Sequence, residues 1–377
     1  KRRADRMRKL IGTLLTALFV CAPLSPVQAD STIIRIVSPA HQTFTGEFRN
    51  DDLAQELTPS GRLGQLVYVP VSRSKIWVID PALIDEITAM TGEYKLATDA
   101  TPMGSQIASS WLGQLQKVSK GNEVIALAYG NPDINLAKSL APSELKMYYS
   151  FGKSQLQIAL GRIVRIDPDG GWSTGKSKLS PLLKKNYSDS RKALTRLSRA
   201  VEDADLMLMR ARLGRLLSPS LDKDSRDYFS YSAKAAVDAQ VRKLRINPGK
   251  YQVTTESAKL PVTVINEFAV DVMVNIEMTP MNSRVVVENF AGVVVPANSK
   301  KQLELTLDVI APGETTIFAQ ITDATSVDVV PPSILQINST VIDKRVTWFT
   351  TGAAILLLLA AVAQSVRRVR KGRKDEI

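Results

Sequence analysis

The chain has 377 residues and a mass of 41.3 kDa, which is enough for two or three domains. With 44% hydrophobic and 23% charged residues, it is neither wholly disordered nor wholly membrane-embedded. The formal net charge of +12 is concentrated at the ends, because residues 1–9 carry +5 and residues 367–377 carry +4. Both basic clusters flank apolar segments, so the charge does not indicate a nucleic-acid partner.

The first segment has the pattern of a secretory signal peptide. Basic residues over 1–9 precede an apolar run from Leu10 to Ala22, and Val27-Gln28-Ala29 offers a cleavage point after Ala29. We therefore predict a signal peptide over 1–29. The alternative is an uncleaved membrane helix, for which the apolar run is shorter than the required ~20 residues.

The only cysteine, Cys21, lies inside this segment. A lipoprotein is the alternative interpretation, but Val20 stands where lipidation normally needs a small residue. A mature chain that begins after Ala29 has no cysteine, and hence neither a disulfide framework nor thiol chemistry.

Residues 30–165 alternate strand-like and helix-like stretches. The predicted strands are 32–37, 66–71, 76–79 and 124–129, and the predicted helices are 82–90 and 105–118. Near-continuous apolar strands alternating with helices favour parallel pairing. We predict a reduced, partial barrel-like α/β domain with three or four strands.

A turn-rich connector is predicted over 166–187, followed by a helical hairpin over 188–245. Apolar residues recur at steps of three and four, first over 188–217 and then over 222–244, with a break at Ser218-Pro219. Such a stripe is typical of core packing, so the hairpin is expected to pack on the α/β domain.

From Lys250 the apolar period becomes two. About seven short strands separated by turns predict an immunoglobulin-like β-sandwich over 246–335, without the cysteine pair of antibody domains. A stalk is predicted over 336–345.

The segment 346–366 has no formal charge and predicts one transmembrane helix. Trp348 and Phe349 at its start, and Arg367 and Arg368 after it, are the predicted membrane-interface residues. The excess of positive charge places the tail 367–377 in the cytoplasm. The prediction is a single-pass protein of the cytoplasmic membrane with an N-terminal ectodomain outside.

The single histidine, His41, limits the possible chemistry. No nucleophile-elbow pattern accompanies it, and zinc sites built from several histidines or cysteines cannot form. His41 is therefore predicted to be a loop residue. No phosphate-cradling loop is present, and neither a metal nor a cofactor is expected.

Two carboxylates remain as catalytic candidates. Asp80 and Asp133 each end an apolar strand beside a proline, where parallel α/β folds place their chemistry. They could act as an acid and base pair on a glycosidic bond, with Trp77, Trp111 and Tyr129 contacting the glycan. The alternatives are that both aspartates cap helices and that the aromatic residues belong to the core.

Three stretches carry a resemblance to a known family. They are Trp77–Leu83, Ala126–Asp133 and a C-terminal third that includes Gly249–Thr254 and Leu260–Asn266. The chain resembles an actinobacterial family of secreted, single-pass envelope proteins of unknown function, often encoded beside the lipid II flippase. The resemblance implies a glycosidase- or deacetylase-like α/β domain, an immunoglobulin-like domain and a C-terminal anchor. This chain is shorter than other members, chiefly in the α/β part.

The leading hypothesis is a non-enzymatic envelope scaffold or accessory factor, whose partners are the membrane and a protein of the machinery that makes peptidoglycan precursors. The alternative is a carbohydrate-active or carbohydrate-binding ectodomain that uses Asp80 and Asp133. A purely structural spacer is a third possibility.

Overall fold

The computed structural model describes residues 32–69, 74–98, 100–340 and 344–372. The predicted signal peptide and Cys21 lie outside these residues. The described chain forms an α/β unit, then a layer of helices, then a β-sandwich and a final helix.

A parallel sheet forms the centre of the α/β unit. Its strands are β1 (Thr32–Ile36), β2 (Lys75–Ile79), β3 (Glu123–Ala126) and β4 (Arg165–Ile166). The helices of the unit are α1 (Asp52–Leu57), α2 (Arg62–Tyr68), α3 (Pro81–Thr91), α4 (Ser105–Ser119), α5 (Ile134–Leu140) and α6 (Pro142–Leu160). The strands lie in chain order and every neighbouring pair is parallel, so their carboxyl ends share one edge.

The two faces of this sheet are covered differently. On one face, Trp77 of β2 is fully buried in a cluster with Trp111 of α4. On the other face, Val78 and Ile125 are buried beneath the irregular segment that carries Trp172. Because parallel strands need cover on both sides, this segment takes the place of a second helical layer.

The predicted strand over 66–71 is wrong in its described part, 66–69, while residues 70–71 lie outside the described residues. Residues up to Tyr68 belong to α2, in which Leu63 and Val67, four positions apart, are both buried. Spacing of buried residues at the helical period outweighs the preference of a short β-branched run for strands.

The helical layer contains more than the predicted two-helix hairpin. It consists of α7 (Pro181–Ala200), α8 (Ala204–Arg212), a 3₁₀ helix (Leu213–Leu217) and α9 (Lys223–Arg242). The first helix begins earlier than expected, because the Ser180 hydroxyl caps it by accepting a hydrogen bond from the Leu183 amide at 3.3 Å. The long predicted helix over 188–217 is thus three elements.

The β-sandwich follows directly. Its strands are β5 (Leu244–Ile246), β6 (Gly249–Val253), β7 (Ser257–Asn266), β8 (Val272–Pro280), β9 (Val285–Val287), β10 (Phe290–Val295), β11 (Ser299–Val309), β12 (Gly313–Thr322) and β13 (Ser333–Ser339). One sheet has the order β10-β8-β12-β13-β6 and the other β5-β7-β11-β9. The predicted stalk over 336–345 begins inside β13, which pairs in parallel with β6.

One apolar cluster joins the three parts of the body. It contains Tyr148 of α6, Leu194 of α7, Phe229 of α9 and Ile321 of the sandwich. All four are buried. Since a single core runs through the helical layer, this layer attaches the sandwich to the α/β unit.

The last helix, α10 (Lys344–Gly372), includes the segment predicted to span a membrane. That prediction is wrong, because the described part of the chain contains no helix that is both long enough and apolar enough to cross a bilayer. The uninterrupted apolar run in α10, from Ala353 to Ala363, has 11 residues, whereas a bilayer core takes about 20. The predicted single-pass topology and cytoplasmic tail are corrected with it.

The predicted membrane-interface residues depended on that span. Trp348 and Arg367 are exposed on α10. Phe349 and Arg368 also fall in α10, but their side chains lie outside the described part of the structure.

Candidate functional site

The carboxyl edge of the parallel sheet is where α/β proteins usually bind their ligands. Here β1 leads into Ser38, β2 into Asp80, and β3 into the loop that contains Gly130. The predicted catalytic residue Asp80 is therefore at this edge.

Asp80 is buried and acts as the N-cap of α3. Its Oδ1 accepts hydrogen bonds from the backbone amides of Ala82 and Gly130, both at 2.9 Å. Burial raises the pKa of Asp80 to about 7, although the two amides and the nearby Arg215 oppose the shift.

Arg215 of the 3₁₀ helix fills the space beside Asp80. Its Nη1 lies 2.7 Å from Oε1 of Glu86, and both side chains are at most 6% exposed. Its Nη2 donates to the Ala82 carbonyl at 3.0 Å, and the guanidinium lies 5.6 Å from the centre of the Tyr129 ring. The arginine is thus held by charge, hydrogen bond and ring contact.

Glu86 ties the same edge to the loop after β1. Its carboxylate accepts from the backbone amides of His41 and Gln42, at 3.2 and 3.0 Å respectively. His41 is a loop residue, and its Nε2 lies 3.1 Å from the Ser38 hydroxyl. The single histidine therefore contributes to loop structure.

Little room is left at this edge. The cavity between Asp80, Glu86 and Arg215 has a volume of about 10 Å³, roughly that of one water. Gly130 has a φ of +79°, and a Cβ there would lie 2.7 Å from Arg215. Only glycine lets the loop after β3 close against the 3₁₀ helix.

Asp133 is placed at the other side of the same 3₁₀ helix. Its Oδ1 caps α5 by accepting from Asn135 and Leu136, and its Oδ2 accepts from the Ser177 amide at 2.8 Å. Its own amide donates to the Leu217 carbonyl at 2.8 Å. Both candidate carboxylates are therefore buried, bonded to backbone amides, and adjacent to the inserted 3₁₀ helix.

The three aromatic residues predicted to contact a glycan are fully buried. Trp77, Trp111 and Tyr129 each have 0% of their surface exposed. The Trp111 indole donates to the Leu63 carbonyl at 3.0 Å. These rings pack in the core, where solvent does not reach their faces.

A second arrangement, which sequence reasoning missed, lies between α3, α6 and α8. We call it the Asp85 cleft; it has a volume of about 530 Å³ and is lined by Asp85, Thr88, Phe151, Gln155, Met207 and Arg212, with Ala89, Ala204, Asp205 and Leu208. Burial raises the pKa of Asp85 to about 6, against the effects of the Tyr129 hydroxyl and two arginines. The only sequence signal was the acidic pair Asp85-Glu86 in a helix.

Two polar atoms below the Asp85 cleft are buried without a partner. The Tyr129 hydroxyl and Nε of Arg212 have no hydrogen-bond partner among the described residues. The Tyr129 hydroxyl is nevertheless near enough to Asp85 to lower its pKa as a weak hydrogen-bond donor, and Arg212 lowers the same pKa through its charge. Polar groups in this condition are uncommon in native proteins and mark a place that merits a functional explanation.

A third concave surface lies on the outer face of the five-stranded sheet. This amide groove has a volume of about 680 Å³ and is lined by Lys250, Gln252, Asn282, Glu314, Gln336 and Asn338, among others. An adjoining cavity of about 400 Å³ shares Lys250 and Gln336. In contrast, clusters of three or more metal-ligand side chains are absent from the residues described.

A sequence profile described as a family of unknown function, DUF6049, matches residues 176–374, more than half of the chain. The chain belongs to this family. The DUF6049 match begins just before α7 and runs through the helical layer and the sandwich into α10. The predicted membership of a family of unknown function is confirmed; the actinobacterial origin and the flippase neighbourhood stay predictions.

No curated protein matches this DUF6049 member. Similar solved structures include WR4, an MSP family member of Caenorhabditis elegans, with 15% identity and a TM-score of 0.20 over 26% of this chain and 98% of that one. The CARDB domain of Pyrococcus furiosus PF1109, in complex with di-metal ions, has 17% identity and a TM-score of 0.21 over 26% and 86%. PapD-like domain 7 of human CEP192 has 11% identity and a TM-score of 0.21 over 27% and 87%.

Proposed function

We propose that this protein is a non-enzymatic accessory protein, a scaffold for a protein partner in the cell envelope, near the machinery that makes peptidoglycan precursors. Membership of a family of unknown function is compatible with this role and specifies no reaction. The envelope and cell-wall part of the proposal rests on the resemblance of the sequence given above.

One observation carries the non-enzymatic part of the proposal. The edge at which a parallel α/β sheet normally holds its substrate is filled by the 3₁₀ helix, with Arg215 paired to Glu86 and a residual cavity of about 10 Å³. Substrate pockets measure roughly 300–1,000 Å³. The side chains of Asp80 and Asp133 cap helices α3 and α5, which is a structural role.

The continuous core supports the scaffold part. Leu194 and Phe229 of the helical layer belong to the same buried cluster as Ile321 of the sandwich. A scaffold benefits from such continuity, because surfaces on different layers keep a fixed spacing when the layers share a core.

Photo-crosslinking in cells tests the proposal. A photoreactive residue would replace one exposed apolar side chain on each layer, Ile158 of α6, Tyr231 of α9 or Met273 of β8. We expect one position to capture a cell-wall synthesis protein, identified by mass spectrometry, while the other two serve as matched controls. Absence of such adducts at all three positions, or glycan cleavage by the purified chain, would contradict the proposal.

The amide groove favours a second candidate, glycan binding without catalysis. Side-chain amides donate and accept together, which matches sugar hydroxyl groups. Gln336 and Asn338 alternate along β13 with buried Leu335 and Ile337, so both amides lie on the open face of the sheet. The adjoining cavity lengthens the groove toward Pro248, as a chain-like ligand requires.

A paired substitution separates this candidate from the first. Gln336→Ala with Asn338→Ala should weaken binding of soluble cell-wall oligosaccharides at least tenfold in calorimetry. Gln302→Ala, an exposed glutamine on β11 of the other sheet, should leave it unchanged. If the unaltered protein shows no heat of binding, or both variants bind equally, glycan binding at the groove is disproved.

A further inference from the structure

The Asp85 cleft has one carboxylate that is partly buried and one that is exposed to solvent. Asp85 is half-buried on α3, whereas Asp205, in the first turn of α8, is exposed at the rim. Both carboxylates line the same 530 Å³ space. This volume lies within the range of small-molecule sites.

The side chains that line the cleft carry a net charge of −1, because the carboxylates of Asp85 and Asp205 outnumber the guanidinium of Arg212. Arg215 is paired with Glu86. Arg212 donates from Nη2 to the Gln42 side-chain oxygen at 2.7 Å. These two arginines, Glu86 and the Tyr129 hydroxyl are the charged or titratable groups that act on Asp85, while α6 contributes only uncharged side chains to the cleft.

The walls of the cleft are apolar. They are formed by Ala89, Phe151, Ala204, Met207 and Leu208. Thr88, which is exposed and lines the cleft, uses its hydroxyl hydrogen to donate to the Ile84 carbonyl at 2.8 Å, which leaves the oxygen as an acceptor. Gln155 offers a second neutral acceptor. An ammonium group, with three donors and no acceptor, matches this set.

We propose that the Asp85 cleft binds a primary alkylammonium group, with the nitrogen at Asp85 and an aliphatic stem of about four carbons against Phe151, Met207 and Leu208. A free amine and the side chain of a lysine in a polypeptide share this chemistry. The inference goes beyond the scaffold role and does not depend on it.

Methionine-methyl NMR of the full chain tests the proposal. Met207 lines the Asp85 cleft, and Met281, on the amide groove, is the internal control. n-Butylammonium at pH 7.5 should shift the Met207 signal saturably and leave Met281 unchanged, and n-butanol, the neutral isostere, should shift neither. A parallel titration with N-acetyl-lysine amide shows whether a peptide-borne lysine also enters.

Substitution identifies the group responsible. Asp85→Asn should weaken n-butylammonium binding at least tenfold, and lowering the pH to 5 should have the same direction of effect because Asp85 becomes protonated. Asp238→Asn, an exposed acid on α9, is the matched control and should bind normally. A Met207 signal that does not respond, or an unchanged affinity in Asp85→Asn, would overturn the proposal.

Discussion

Arg215 and Glu86 form the most enclosed ion pair described, at the sheet edge that enzymes use. Each side chain is at most 6% exposed, and both carry additional hydrogen bonds to the backbone. Removing one partner of such a pair leaves an uncompensated buried charge, which costs far more than the pair itself contributes.

Arg215→Met should therefore lower the free energy of unfolding by about 3–5 kcal/mol. Combining it with Glu86→Gln should cost clearly less than the sum of the two single losses, which a double-mutant cycle in urea measures. Arg245→Met breaks an exposed pair with Glu267 and should cost less than about 1 kcal/mol. Additive losses at Arg215 and Glu86 would contradict the buried-pair interpretation.

Ionised Asp85 is predicted to lower the free energy of unfolding. Its pKa is about 6 in the folded chain, compared with an ordinary value of 3.8. The folded state therefore holds the proton more tightly than the unfolded state. The stability that Asp85 contributes is fully present below pH 3.8 and is lost as the pH rises through about 6.

Asp85→Asn should accordingly raise the free energy of unfolding at pH 7.5, by about 2 kcal/mol, because the amide resembles the protonated acid. It should also flatten the pH dependence between pH 4 and 6 in urea unfolding series. A residue kept for structure alone would give the opposite sign. A destabilised Asp85→Asn variant at pH 7.5 would count against a ligand-binding role.

Among individual residues, the helix caps could be predicted from the sequence. The insertion of Arg215 at the edge of the parallel sheet could not. The Asp80-Pro81 order favours a helix start, and the Asp80 side chain accepts from the Ala82 amide in that position. In contrast, Arg215 donates to the carbonyl of Ala82, 133 positions away in the chain. Apolar periodicity carries no information on such a contact.

At the scale of single elements, the loop after β3 requires glycine at its turn. Gly130 combines a positive φ with a Cβ position 2.7 Å from the backbone nitrogen of Arg215. Gly113, inside α4, has open space around its Cβ position. The two glycines therefore differ in what an added methyl group meets.

Gly130→Ala should lower the free energy of unfolding by about 2 kcal/mol or more, since the backbone is strained and the 3₁₀ helix is displaced. Gly113→Ala should raise it by about 0.5–1 kcal/mol through helix propensity. Thermal unfolding followed by circular dichroism distinguishes the two. Equal effects of the two substitutions would show that the loop tolerates a side chain.

Element prediction succeeded where one period dominates. The amphipathic pattern over 105–118 corresponds to α4 (Ser105–Ser119). It failed at 66–71, where a β-branched run lies partly in α2, and at 188–217, where three elements replace one helix. The Asp85 cleft could not be predicted from the sequence, because its three helices α3, α6 and α8 are distant in the chain and meet only in the folded protein.

At the scale of the whole molecule, the shared core predicts that the layers unfold together. Tyr148 and Leu194 connect the α/β unit and the helical layer with Ile321 of the sandwich. The α/β sheet has a second cluster of its own around Trp77 and Trp111, but α6 contributes side chains to both clusters, so loss of one layer exposes the apolar surface of the next.

Urea unfolding should therefore be a single transition for two independent probes. Trp77 and Trp111 are buried in the α/β unit and Trp172 packs against its sheet, whereas Trp348 on α10 is already exposed, so the change in tryptophan fluorescence on unfolding reports mainly the α/β unit. Circular dichroism at wavelengths dominated by β-structure reports the sandwich. Midpoints that coincide within error are expected, whereas a fluorescence transition that precedes the loss of β-signal would show separable domains.

The parallel pairing of β6 with β13 has a consequence for synthesis on the ribosome. Gly249 of β6 pairs with Leu335 of β13. The ribosome makes β6 early in the sandwich and β13 last of its strands, so β6 cannot form this pairing until β13 has been made. A nascent chain that ends before Ser333 has an incomplete five-stranded sheet, in which both β6 and β12 lack this neighbour. Pairing of distant segments is slow. Closure of this sheet therefore has to wait until β13, the last strand of the sandwich in chain order, has been made.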